Sequence, residues 1–94
     1  MPTDVTLFNY SADGYKELSE AGRQEQVRLI ESQGGRVLGA YGLMGEWDVV
    51  LITEFSDEKS AMRALVHTCQ SGIGTTQAMT ALPLEEFVQL GQTP

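Results

Sequence analysis

An α+β domain with the element order β-α-β-β-α-β is what this sequence predicts, and three observations carry the prediction. Two stretches of helix-forming composition, 15–33 and 56–71, each lie between runs rich in β-branched and aromatic residues. Glycines mark the boundaries, at Gly34-Gly35, Gly45 and Gly72-Ile73-Gly74. The run Val49-Val50-Leu51-Ile52 is apolar on both faces of a strand, where an antiparallel sheet with one wet face would alternate.

Thr3–Tyr10 alternates in residue type and reads as the first strand, stopped by Ser11-Ala12-Asp13-Gly14. Ser11 or Asp13 can cap the segment that follows, with Glu17 on its positive end. From Tyr15 to Gln33 the composition is helical, and Gly22 predicts a break there: a short helix, then a longer one from about Arg23. Its apolar face, Val27 and Ile30 flanked by Leu29, is narrow, and Gly34-Gly35 closes it. Arg36–Met44 is the second strand, with Gly39 and Gly42 suiting a bulge. Gly45-Glu46 then turns tightly into the third strand, Trp47–Phe55, with Trp47, Val49, Leu51 and Phe55 on one face and Val50 and Ile52 on the other. Ser56-Asp57-Glu58 starts a helix that runs to about Ser71. Thr75–Leu82 is the fourth strand, and Pro83 opens a short helix, Leu84–Leu90, with Leu84, Phe87 and Val88 on one side. The tail Gln92-Thr93-Pro94 is expected to fray.

This order is the ferredoxin-like βαββαβ pattern, one domain over residues 1–94. Both main helices cover one face of a four-stranded antiparallel sheet, and the short C-terminal helix follows. The second apolar face of the third strand then needs a cover. Two such sheets packed face to face give the dimeric α+β barrel type, so a homodimer through the open sheet face is expected. A domain of this length buries roughly 60–70% of its unfolded surface, and association would supplement a thin core.

Thirteen acidic residues against six Lys and Arg give a net charge of −7. The basic footprint that neutralises phosphates is missing, which argues against nucleic acid and anionic membrane as partners. No apolar run approaches the ~18 residues of a membrane span, and the first residues show no signal-peptide pattern. A single cysteine, Cys69, excludes an internal disulfide and fits a reducing, cytoplasmic setting.

Four residues are candidates for ligand binding: Tyr41, Trp47, Asp48 and His67. Asp48 can accept hydrogen bonds from a ligand amine, or bond backbone amides of the Gly45 turn or cap a neighbouring helix. Trp47 can wall a pocket or close the end of a core or interface. Tyr41, with Tyr10, can line the sheet's open face. His67 is the one residue that titrates naturally near neutrality, but Lys59, Arg63, His67 and Gln70 share one polar helix stripe, which reads as solvated surface. Cys69 reads as a small core residue and makes no metal site with His67. Glu85 and Glu86 serve the helix dipole. With no Cys/His cluster, phosphate loop or H-E-x-x-H pattern in the chain, no metal, cofactor or catalytic residue is assigned.

The chain resembles the GYD-domain family over nearly its whole length. The resemblance rests on Val5-Thr6-Leu7-Phe8-Asn9-Tyr10, Asp13-Gly14, Gly34-Gly35-Arg36, Gly45-Glu46-Trp47-Asp48-Val49-Val50, Thr75-Thr76 and Glu85-Glu86-Phe87. Trp47 departs from that family's tyrosine, keeping the aromatic bulk and losing the phenol. The resemblance implies a ferredoxin-like fold and no settled activity. The same Gly-Glu-aromatic-Asp turn, followed by a helix, a Gly-apolar-Gly turn and a Thr-rich strand, is also similar to the effector-binding domain of Lrp/AsnC-type regulators. That likeness implies amino-acid sensing, with the loops Gly45–Asp48 and Ser71–Thr75 at a ligand site between subunits.

The leading expectation is therefore a non-enzymatic, small-molecule-binding or regulatory homodimer. The alternatives are a stand-alone amino-acid sensor and a cofactor-free or haem-associated oxygenase of the dimeric α+β barrel type. The oxygenase requires Tyr41, Trp47 and His67 to line one enclosed pocket.

Overall fold

The computed structural model describes residues 3–92 and contains strands β1 (Thr3–Tyr10), β2 (Gly35–Gly42), β3 (Val49–Phe55) and β4 (Gly74–Ala81). Its helices are α1 (Glu20–Ser32), α2 (Glu58–Gln70) and α3 (Leu84–Leu90), with one 3-10 turn at Gly14–Glu17. The sheet is antiparallel throughout, in the order β2-β3-β1-β4, as the ferredoxin-like reading requires.

Register decides which residues the helices cover. Phe8 opposes Val49 and Thr76, Thr6 opposes Leu51 and Ala78, and Asp4 opposes Thr53 and Thr80, so these share one face. Val5 opposes Ile52 and Met79, and Leu7 opposes Val50 and Gln77, on the other. The first set lies under α1 and α2. Ile30, Phe55 and Ala64 form the core there, with Val37, Leu51 and Ala61 packed against them. Gln26 of α1 donates to the Thr68 hydroxyl of α2 at 3.1 Å and ties the helices together. Among the described residues no helix lies over the second face. A register shift between Val37 and Gly39 leaves Leu38 unpaired, the bulge anticipated from the glycines of β2.

Several boundaries differ from those predicted, each for a local reason. The break in the first helical segment falls at Leu18-Ser19, with Gly22 inside α1. The Ser19 hydroxyl accepts from the Gly22 amide at 3.1 Å and caps the helix, while a methyl group at Gly22 would collide with the Glu17 carbonyl. Asp13 makes no side-chain cap; Ser11 Oγ accepts the Gly14 amide instead, at 2.9 Å. β2 stops at Gly42 and β3 begins at Val49, so Trp47 belongs to a six-residue connection and does not lead the strand. Asn9 holds this connection: its Oδ1 accepts the Asp48 amide at 2.8 Å and its Nδ2 donates to the Glu46 carbonyl at 2.8 Å. Cys69 is exposed, not core; the buried row of α2 runs through Ala64 and Thr68, and Cys69 lies one position round the helix.

α2 begins as predicted, with Asp57 accepting the Ser60 amide at 2.7 Å. α3 leaves Leu84, Phe87, Val88 and Leu90 exposed. Gln92 donates to the Gln89 carbonyl at 3.0 Å, and the fraying expected of Thr93 and Pro94 lies outside the described residues.

Candidate functional site

The C-terminal end of β1 gathers segments distant in the chain. The Tyr10 amide donates to Asp48 Oδ2 at 3.0 Å. The Ser11 amide donates to the Ile73 carbonyl at 2.9 Å, and the Ser11 hydroxyl to the Gly72 carbonyl at 3.2 Å. The 43–48 connection and the Gly72-Ile73-Gly74 turn thereby flank the same two residues. The 3-10 turn closes over them because Gly14 admits the Ile73 carbonyl where any side chain would collide. Tyr15 is then placed to donate its hydroxyl to both oxygens of Asp48, at 3.2 Å each.

Asp48 is half-buried and its carboxylate takes one backbone amide and one phenol. Neither donor belongs to the Gly45 turn, where sequence reasoning looked for them. The Asp48 amide donates to the Phe8 carbonyl at 3.0 Å as well as to Asn9, and its own carbonyl accepts the Leu43 amide at 2.8 Å. An aromatic column stands beside it: Phe8 and Tyr10 meet edge to face at 4.8 Å, and Tyr10 and Tyr15 are tilted at 5.4 Å. The Tyr15 phenol is held above its usual pKa because its proton is bonded to Asp48, whose negative charge adds to the effect. The Tyr10 phenol is raised first by burial and then by the Asp48 charge.

Next to this column a cleft of about 480 Å³ opens between the start of α1 and the sheet. Tyr10, Leu18, Val27, Val37, Val49 and Leu51 supply its walls. Arg23, bonded to Glu20 at 2.6 Å and 3.0 Å, stands at its rim. The largely apolar lining with a few polar tips is the ordinary chemistry of a small-molecule site.

The four predicted residues are only partly brought together. Tyr41 borders the cleft, and its register opposite Val50 places it on the open face. Asp48 does not line the cleft; it accepts the backbone amide of Tyr10, which does. Trp47 and His67 line neither this cleft nor the smaller hollow beneath α2. Tyr10 packs on Phe8 on the helix-covered face, not on the open face where it was expected. Tyr15 was missed; the signal available was an aromatic directly after the Asp13-Gly14 exit of β1.

Comparison with known proteins bears on this geometry. Over 93 residues the chain is 28% identical to a glutamine synthetase and cystathionine beta-lyase binding protein of Thermus thermophilus, covering 94% of this chain and 96% of that one. The fold is similar to that of FFRP-DM1, with a TM-score of 0.63 and 21% identity over 87% of this chain and all of the other. It is also similar to the transcriptional regulator NMB0573 of Neisseria meningitidis, solved with L-Met, with a TM-score of 0.62 and 20% identity, over 87% of this chain and 50% of the regulator. The model of the GYD domain matches residues 5–90, and the chain belongs to the GYD domain family.

Proposed function

We propose that this protein is a non-enzymatic binding module that works as a homodimer and holds a small molecule in the cleft beside Tyr10. One observation carries the reading: the sheet keeps an apolar face with no helix over it, while the core beneath the helices is small. Among the described residues only Phe8, Ile30, Phe55 and Ala64 are buried apolar side chains, and Val5, Leu7, Val50, Ile52 and Met79 lie on the uncovered side. A second copy supplying the same surface would be self-complementary about a two-fold axis. The relative from Thermus thermophilus and the L-Met-bound regulator support a binding role.

Light scattering at micromolar concentration tests the assembly: a dimer mass is expected, and a monomer overturns it. A thermal-shift panel of amino acids tests the ligand. Saturating occupancy at a hundredfold over Kd adds roughly 2.7 kcal/mol, a rise of roughly 10–20 °C in a domain of this size. No response across the panel removes amino acids as the ligand class.

The Thermus relative favours a second reading, in which the partner is an enzyme. Mixing the protein with glutamine synthetase or cystathionine beta-lyase and finding no co-elution on a sizing column would remove it.

A further inference from the structure

Asp4 is an uncommon residue to find beneath the helices of a small α+β domain. It is 7% exposed, and its Oδ2 is fully shielded with no hydrogen-bond partner. Its Oδ1 has one long contact, from the Thr80 hydroxyl at 3.5 Å. A buried carboxylate in that condition is costly unless something supplies a counter-charge.

Asp4 faces a hollow of about 270 Å³ between α2 and the sheet. Thr6, Thr53, Thr76 and Thr80 line it from the strands, Gln26 from α1, and Glu58 from the start of α2. Phe8, Ile30, Leu51 and Leu65 give it an apolar side. Asp4 and Glu58 are the two charged residues on its wall, and no Lys, Arg or His lines it. Water would satisfy the hydroxyls but would bring no positive charge. A metal ion is not indicated, since the described residues hold no group of three or more His, Cys, Asp or Glu arranged to ligate one. The volume suits an organic molecule; an apolar cavity of about 150 Å³ already admits benzene.

We infer that this hollow is a binding site for a small organic ammonium, whose cationic head pairs with Asp4 and whose carbon chain lies against Phe8, Ile30, Leu51 and Leu65. The ring of threonine hydroxyls accepts the remaining ammonium protons, and Glu58 at the α2 end offers a second anionic contact for a diamine. Burial also raises the Asp4 pKa, opposed by the Thr80 contact, and a bound cation would act in the other direction and lower it. The site is separate from the cleft beside Tyr10, which it meets at Phe8, Gln26 and Leu51, and it does not depend on the proposed dimer.

The test is a titration of the isotope-labelled full chain with 1-butylamine, against 1-butanol as the uncharged isostere, followed by backbone amide resonances. Saturable shifts centred on Asp4, Thr53, Thr76 and Thr80 are expected with the amine and not with the alcohol. In Asp4→Asn, which keeps the side-chain shape, the amine is expected to bind at least about tenfold more weakly. Three outcomes overturn the inference: no saturable shift of the wild-type chain at millimolar amine, equal shifts with the alcohol, or shifts centred on Tyr10, Tyr15 and Ser19. Undiminished binding by Asp4→Asn also overturns it. If that variant does not fold, the amine-against-alcohol comparison on the wild-type chain decides.

Discussion

Beneath its helices the sheet presents Asp4, Thr6, Thr53, Thr76 and Thr80, whereas on the uncovered face the same strands present Val5, Leu7, Val50, Ile52 and Met79. In a self-sufficient monomer the apolar set would go under the helices and the threonines would meet water. A slip of register by one residue would exchange the two sets, so the arrangement is specified strand by strand. It assigns different work to the faces. The uncovered one has the composition of an interface core, and the covered one gives up packing around a polar hollow.

Ile52→Lys should break that contrast most forcefully. It places a charge at the middle of the uncovered face, opposite Val5, and an unpaired charge in an apolar interface costs several kcal/mol. The dissociation constant of the proposed dimer should rise about a hundredfold or more, read by sedimentation at several concentrations. An unchanged dimer would mean that the assembly uses another surface.

Asp48→Ala comes next. It leaves the part-buried Tyr10 amide without its acceptor and should lower stability by about 1–3 kcal/mol in urea unfolding.

Asp4→Asn should act in the opposite direction, raising the ligand-free stability by about 1 kcal/mol at neutral pH through loss of an uncompensated charge. The pH dependence sharpens this. The folded pKa of Asp4 lies above the ordinary 3.8, so its protonated form is favoured by folding. That contribution is fully present below the unfolded pKa and lost as pH rises through the folded one. The advantage of the variant should therefore shrink as pH falls from neutral through the carboxylate range. An advantage that persists unchanged in acid would show that Asp4 is no penalty. Asp57 runs the other way: the Ser60 amide holds its pKa below 3.8, so its contribution is lost on acidification.

Tyr15→Phe should have the smallest effect, because the phenol is exposed and its bond to Asp48 competes with water. The companion measurement is phenol titration in Asp48→Asn. The Tyr15 pKa should fall toward 10.0, while Tyr10 stays raised, since burial is its main cause.

The elements were legible because their signals are local. β1 and α3 lie where their patterns put them, and Asp57 caps α2 where Ser56-Asp57-Glu58 advertised a start. Errors arose where a distant residue intervened. Trp47 lies outside the strand, where Asn9, far along the chain, bonds the Glu46 carbonyl and the Asp48 amide on either side of it. Gly22 stays helical because a serine three residues earlier caps the helix. At the site, Asp48 was legible as an acceptor, but its donors Tyr10 and Tyr15 stand 38 and 33 residues away and nothing nearby in sequence announced them.

By itself the sequence determined the strands, the helices and their order, because hydrophobic period, capping residues and glycine stops act within a few residues. It also determined that β3 would be apolar on both faces. Tertiary structure alone decided which face the helices cover, since a period of two yields two faces and no label for either. That choice sends Asp4 inward with one oxygen unpartnered, gives Asp48 its phenol, and leaves an apolar sheet surface uncovered.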